Sequence, residues 1–253
     1  MENPTSIPDG DPVRFFILAA GRTGSTRLRL LLDSHPLAKC HGELFGENLS
    51  TLAEPGSLFQ GQLLGERSTN PARFLHRRAL KAGYFQAVGF KILYHQLTRE
   101  WPGLLEAALS DRELRVIHLV RRNGLKRFLS EYFVGTVTKK NLFFENEALP
   151  SIQPVFIPVE PLLSNLEMLD RDSDRLRGLF RSHPFHEIAY EDSLDDNGPA
   201  MCSILDFLNL PPASLSVPIK KILPDDPARL IANFEEVEEA LRGTRHEWML
   251  RDG

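Results

Sequence analysis

The chain has 253 residues, 42% hydrophobic and 25% charged, with a formal net charge of -4. That length supports one large α/β domain with a substantial core, and the acidic balance argues against a protein that wraps duplex DNA. Two cysteines give neither a zinc signature nor a disulfide framework, the N-terminus MENPTSIPDGDP lacks the basic start and apolar stretch of a signal peptide, and no run reaches the roughly 18 apolar residues of a membrane span, so a cytoplasmic protein with reduced thiols is expected.

Residues 1–12 are polar and proline-rich and are expected to be a flexible N-terminus ahead of one domain over residues 13–253. VRFFILA, Val13 to Ala19, is short, apolar and β-rich and predicts a buried strand. The turn GRTGST follows, and Leu28, Leu31 and Leu32 then take helical spacing. Residues 34 to 72 carry several prolines and glycines, among them Pro36, Gly42, Gly46, Pro55 and Gly56, and read as mostly loop with short pieces, a length of loop that is often functional. A helix is expected around Ala72 to Lys81, a strand over Ala87 to Tyr94, a helix over Leu104 to Leu109 and a strand over Leu114 to Val120. Strands this uniformly apolar suit a parallel sheet covered on both faces. Leu125, Phe128, Leu129, Tyr132 and Phe133 follow the spacing of an amphipathic helix. Residues 139 to 158 look irregular, Leu162 to Leu179 marks a longer helix, and His186 to Tyr190 a short strand. Helices are expected around Met201 to Leu208 and Pro227 to Leu241. The recurrent strand-loop-helix order implies an α/β fold: a single P-loop-like, doubly wound domain whose central, mainly parallel sheet is flanked by helices.

Gly21, Arg22, Thr23, Gly24, Ser25 and Thr26 stand between a strand and a helix. Glycines let such a turn bend sharply and approach a ligand, and the helix start offers N–H groups and positive potential to an anion. The alternative is a purely structural turn. A Walker A loop, GxxxxGK followed by Ser or Thr, is not matched, because Ser25 and not lysine follows Gly24; a GxGxxG dinucleotide fingerprint is absent as well. A second basic cluster follows the strand ending at Val120: Arg121, Arg122 and Asn123, then Lys126, Arg127 and Ser130. An arginine at a strand's carboxyl end and a serine on the next helix can grip a phosphate together. A solvated helix face is the competing reading.

Taken together, the two segments resemble the PAPS-dependent sulfotransferases (PAPS is 3′-phosphoadenosine 5′-phosphosulfate). GRTGST is similar to that family's PKSGTT or PRSGST loop, with Gly21 in place of proline and Thr23 in place of serine. HLVRRNGLKRFLS resembles its strand-RNP segment with a serine eight residues after the arginine, here Arg122 and Ser130, with Gly124 in place of proline. IAYED resembles the YED segment and FLNL an FLGL-like helix end. SHPLAKCHGELF, VGFKILY and IANFEEVEEALRGT most resemble the bacterial branch that includes trehalose sulfotransferase. The resemblance implies that Arg22, Thr23, Gly24, Ser25 and Thr26 bind the 5′-phosphosulfate side of PAPS, that Arg122 and Ser130 bind the 3′-phosphate, and that Tyr190 lies near the adenine.

It also implies sulfuryl transfer to an acceptor hydroxyl, releasing PAP (3′-phosphoadenosine 5′-phosphate), and analogy with phosphoryl transfer makes this an in-line displacement. Arg22 would stabilise charge on the leaving phosphate, since an arginine does not give up a proton at neutral pH. The hydroxyl needs a general base. Glu43 in GELF is the first choice on the resemblance, with His41 and His95 as rivals. Lys91 either reaches the sulfuryl group or pairs with a carboxylate. His118, inside an apolar strand, reads as a core histidine. No metal is required, and no ligand cluster suggests one. The expected acceptor is a small-molecule hydroxyl, on a sugar, a glycolipid or other lipid, or another small molecule, and no nucleic acid partner is expected. Residues 44 to 72 and 139 to 158 are expected to shape its pocket, and their aromatics Phe59, Phe143, Phe144 and Phe156 line that site or fill minor cores. The LRGT segment, with Lys220 and Lys221 before it, is a candidate closure over the nucleotide. The competing functions are a P-loop-like phosphoryl transferase and a catalytically inactive nucleotide-binding module; oligomeric state is unreadable.

Overall fold

The structure, a computed structural model, describes residues 11–46 and 49–251. Of the expected flexible N-terminus, positions 1–10 lie outside the described residues. The described residues fall into two compact units, those within Met1–Val120 with Leu176–Val217, and those within Arg121–Arg175 with Pro218–Gly253.

In the first unit, β1 (Val13–Ala19), β2 (Ala38–Glu43), β3 (Ala87–Leu93), β4 (Arg115–Val120) and β5 (Phe185–Ala189) form one parallel sheet in the order β2-β3-β1-β4-β5. The near-continuous apolar runs of β1, β3 and β4 are explained by cover on both faces. Phe15, Ile17, Ala19, Ile117 and Leu119 pack with Leu28, Leu31 and Leu32 of α1 (Ser25–Asp33) on one face. On the other, Phe16 stacks edge-on against Phe180 at 5.5 Å, and Phe90 meets both Phe16 and Phe45. Burying each α1 leucine is worth about 1.5–3 kcal/mol. Gly89 in β3 has a packing reason: a Cβ there would stand 2.6 Å from the Phe15 ring. From β1 the chain goes out to β2 and back to β3 on one side, then crosses to β4 and β5 on the other, so the direction of winding reverses at β1. The carboxyl end of the strand at such a reversal is where open α/β sheets bind ligands.

The remaining helices of this unit are α2 (Leu58–Thr69), α3 (Pro71–Phe74) and α4 (Leu104–Ser110), with α7 (Pro199–Phe207) after β5. The second unit holds α5 (Gly124–Phe133), most of α6 (Val159–Phe180) and α8 (Phe234–Leu241). Leu125, Phe128, Leu129 and Phe133 of α5 pack with Leu162, Leu166, Val237, Leu241 and Met249. Both cysteines are free, Cys40 buried and Cys202 exposed. Among the described residues no helix is long and apolar enough to cross a membrane.

Three segments depart from expectation. Residues 34 to 72 contain a strand and a twelve-residue helix, β2 and α2. Only Ala38 and Cys40 of β2 alternate inward, too short a period-two signal beside Lys39, His41 and Gly42, and α2 holds two glycines that lower its helix propensity. The helix expected at Ala72 to Lys81 is α3 continued by one wide-turn stretch, Leu75–Ala79. The helix expected from Pro227 is split, because the backbone of residues 230–232 bonds instead to Val155: Val155 N–H donates to Leu230 and Ala232 N–H to Val155, each at 2.9 Å.

Candidate functional site

The loop after β1 is built to expose a helix start. Arg22 and Gly24 both take left-handed backbone, φ 64 and 83. For arginine that conformation is uncommon and marks strain held by its surroundings. The Thr23 hydroxyl closes the turn by donating to the Ala20 carbonyl at 2.9 Å. At Gly24 a Cβ would collide with the Tyr190 ring, whose Cε2 would be 2.7 Å away. Glycine is therefore required there on two grounds, conformation and space. Gly21, by contrast, has open space around the Cβ position. The first turn of α1 contains no acidic residue of its own to offset the positive end of the helix dipole. Tyr190 opens the short turn Tyr190–Ser193 after β5. Arg27, which the sequence reading passed over, holds that turn from α1: it donates to the Leu194 carbonyl at 2.7 Å and also to the Ser193 carbonyl and Asp196.

Glu43 reaches this loop through a bulge. His41 pairs with Phe90, but the register slips at Gly42, so that Glu43 and not Gly42 lies opposite Lys91. Side chains alternate faces along a strand. Cys40 packs on the α1 face, so an unbulged β2 would send Glu43 to the opposite face. The extra residue turns it back. Lys91 Nζ then lies 2.7 Å from Glu43 Oε1 and donates to Thr26 Oγ1 at 2.9 Å. The lysine is at once paired with a carboxylate and tied to the glycine loop. Its side chain is 10% exposed against 34% for Glu43. Burial pulls the Lys91 ammonium below its ordinary pKa, against the opposing effect of Glu43. Burial also pushes Glu43 upward, but the Lys91 charge and the bonds from Lys91 and Gln96 together outweigh it and hold the carboxyl below its ordinary value. Gln96 Nε2 donates to Glu43 Oε2 at 2.9 Å. No sequence motif marked Gln96; its only signal was a position just past β3, beside His95.

The rival histidines are placed differently. His41 is buried, and burial followed by the Lys39 charge pushes it down to about 4, leaving a neutral imidazole. His95 follows β3, 48% exposed, with Nε2 3.5 Å from Glu100. His118 is a fully buried core histidine: Nδ1 lies 2.8 Å from Glu187 and Nε2 2.6 Å from the Tyr94 hydroxyl.

In the second unit, Arg121 and Arg122 precede α5, with Arg122 exposed. Asn123 is fully buried and caps the helix, accepting from Lys126 N–H at 2.9 Å and donating to the Met249 carbonyl at 2.9 Å. Such a cap is worth about 1 kcal/mol. Gly124 stands against Leu166, whose Cδ2 would lie 2.6 Å from an added Cβ, so a larger residue there needs the Leu166 side chain to shift. Arg127 is buried and bonded to Asn165 and to Glu131, the latter at 2.8 Å, so it is no solvated face residue. Ser130 is half-buried on α5, about 9 Å along the axis from Gly124. Phe143 is buried, whereas Phe144 and Phe156, like Phe59 of the first unit, are exposed. Lys220 Nζ donates to the Glu147 carbonyl at 2.8 Å and Lys221 pairs with Asp225. Among the described residues no group of three or more His, Cys, Asp or Glu could hold a metal ion.

The profile of the sulfotransferase family matches residues 12–214. The chain belongs to the sulfotransferase family. The match takes in the glycine loop, Glu43, Lys91, Gln96, Arg122, Ser130 and Tyr190. This sulfotransferase is similar to Nodulation protein H of Rhizobium meliloti strain 1021, 28% identical over 205 residues covering 81% of each chain. It is similar also to a second Nodulation protein H of Rhizobium meliloti, 27% identical over the same share. Among solved structures, a sulfotransferase from Alicyclobacillus acidocaldarius superposes with a TM-score of 0.51 at 16% identity, covering 96% of this chain and 97% of that one. At that identity the likeness supports the fold alone, and it agrees with the parallel, helix-flanked sheet described above.

Proposed function

We propose that this sulfotransferase moves a sulfuryl group from PAPS to the hydroxyl of a small-molecule acceptor, with Glu43 as general base. The observation that carries the reading is the Lys91 ammonium, which joins the Glu43 carboxylate to Thr26 of the glycine loop at 2.7 and 2.9 Å. One lysine thus links the residue suited to taking a proton with the residues suited to holding an anion. The cradle fits a phosphate group: Gly24 carries no side chain where a Cβ would fill the space beside Tyr190, and the α1 start offers N–H groups and a first turn without acidic residues.

In this reading Arg22, Thr23, Gly24, Ser25 and Thr26 hold the 5′-phosphosulfate side. Thr23 contributes backbone, because its hydroxyl proton is given to Ala20. Thr26 keeps its own hydroxyl proton to donate, because it accepts from Lys91. Arg122 and Ser130 are assigned to the 3′-phosphate and Tyr190 to the adenine. PAPS supplies a sulfur joined to a good leaving group. The acceptor oxygen forms a bond to that sulfur, the bond from sulfur to the bridging oxygen breaks, its electron pair goes to the 5′-phosphate of PAP, and the acceptor proton goes to Glu43. Such a transfer is governed by positioning and charge stabilisation. Arg22 and Lys91 act on the charge that develops on the transferred group and the leaving phosphate. A sugar hydroxyl is the favoured acceptor on the resemblance to the trehalose branch, with a lipid hydroxyl second.

The test is transfer of labelled sulfate from PAPS across a panel of sugar, lipid and phenolic acceptors. Labelled product and PAP in equal amounts are expected. Magnesium-dependent phosphoryl transfer from ATP in its place, or PAP binding without transfer to any acceptor, overturns the reading. Arg122→Ala is expected to weaken PAP binding about 10- to 100-fold, the loss of a charged two-point hydrogen bond. Calorimetry showing wild-type affinity would remove Arg122 from the 3′-phosphate.

A further inference from the structure

Glu43 ends a strand, and the backbone that follows it is gripped from three sides. Arg67 of α2 donates through Nη1 to the carbonyls of Leu44 and Gly46, both at 2.7 Å. The Trp101 indole donates to the carbonyl between them, Phe45, at 2.8 Å. The Arg67 guanidinium also lies over the Trp101 ring, 4.6 Å from its centroid. Three successive carbonyls after the carboxylate are thus all engaged, and the turn closes on itself through Gly46 N–H to the Glu43 carbonyl at 2.9 Å. Gly46 leaves the space this needs, since a Cβ there would stand 3.0 Å from Glu43 Cβ and 3.2 Å from Gln96 Nε2.

Within this frame Gln96 joins the carboxylate to the end of β3 without carrying charge. It is buried, and its amide works at both ends: Oε1 accepts from Leu93 N–H at 2.9 Å while Nε2 donates to Glu43 Oε2 at 2.9 Å. The amide cannot be turned over, because that would set an oxygen against the carboxylate and an NH2 against the Leu93 N–H. Lys91 holds Oε1 and Gln96 holds Oε2. Both carboxylate oxygens are therefore fixed in direction.

We propose that Gln96 is a positioning residue: it locks the rotation of the Glu43 carboxylate against the end of β3 so that the carboxylate meets the acceptor hydroxyl in one orientation. The inference rests on the assignment of Glu43 as base. The groups bearing on that carboxylate are Lys91 and Gln96 by direct bonds and His95 by its charge; Arg22 and Arg29 bear in turn on Lys91. Removing Gln96 removes a bond made to the ionised form, so the proton affinity of Glu43 rises.

Gln96→Ala is expected to lower kcat about 10-fold with KM for PAPS and PAP affinity within about twofold, and to move the acid limb of the kcat profile to higher pH. Gln96→Glu keeps an acceptor for Leu93 N–H and serves if the alanine variant folds poorly. It sets a second carboxyl against Glu43 Oε2, so the pair shares a proton and the limb moves further up, by more than one pH unit. A wild-type acid limb in Gln96→Glu, with Glu43→Gln inactive, overturns the proposal while sparing the base. Full turnover in Glu43→Gln overturns the base assignment itself, whatever the Gln96 variants do.

Discussion

Glu43→Gln is expected to lower kcat by about 1,000-fold, the middle of the range for losing a positioned general base, while PAP binds within about twofold of wild type. The substitution is close to isosteric, and the frame of Arg67 and Trp101 grips backbone carbonyls that the change leaves in place. What is lost is the anionic oxygen that takes the acceptor proton and pairs with Lys91. A pure binding role for Glu43 would raise KM for the acceptor and leave kcat alone, so the split between the two parameters separates the roles. His95 is the control. It is half exposed, and its Nε2 lies 3.5 Å from the Glu100 carboxylate. His95→Ala is therefore expected to keep most of the turnover, and an inactive His95→Ala beside an active Glu43→Gln would move the base to the histidine.

The parts of this arrangement that were legible in the sequence share a physical property: they follow from short-range periodicity or from a contiguous motif. β1, β3 and β4 are apolar runs buried on both faces, and α1 and α5 carry their leucines and phenylalanines at helical spacing. GRTGST is contiguous, and its position between strand and helix already states its capacity to hold an anion. The rest depends on pairing between distant residues. That Glu43 faces α1 is decided by one slipped residue in β2, and a bulge has no signature in AKCHGE beyond its glycine. Lys91 pairs with Glu43, one of the two readings that sequence alone left open, and its bond to Thr26 of the glycine loop is one the sequence did not announce. Gln96, Arg67 and Trp101 act through hydrogen bonds across 21 to 56 positions of chain, and nothing local singles out a glutamine at the end of a strand. Asn123 was legible as part of a motif, but its work as the cap of α5 and a tie to Met249 appears only in three dimensions.

Lys91→Met is expected to lower kcat by about 100-fold and to bring the acid limb of the rate profile up by about 1–3 pH units, the shift that follows when an opposite charge within ~4–6 Å is removed. In the wild type the Lys91 charge and the bonds from Lys91 and Gln96 outweigh burial and hold Glu43 below its ordinary pKa, so the carboxylate is ionised throughout the neutral range. Without the ammonium, burial is opposed only by Gln96 and the more distant charge of His95, and protonation begins at a pH where the wild type is still fully ionised. The same linkage bears on stability. Because the folded-state pKa of Glu43 is depressed, its contribution to stability is present above the unfolded pKa and is lost as pH falls through the folded one. Lys91 works in the other direction: burial lowers its pKa, so keeping it charged costs stability at neutral pH, and that cost disappears in the methionine variant. The two changes oppose each other, and at neutral pH the melting temperature of Lys91→Met is expected to move by only a few degrees while turnover collapses. A structural lysine predicts the reverse, a large fall in melting temperature with the pH profile unmoved. The double variant Glu43→Gln with Lys91→Met decides whether the pair acts as one device. Residues of one unit are not additive, so the double variant should lose less than the product of the two single losses; a fully multiplicative loss would mean that lysine and carboxylate act independently.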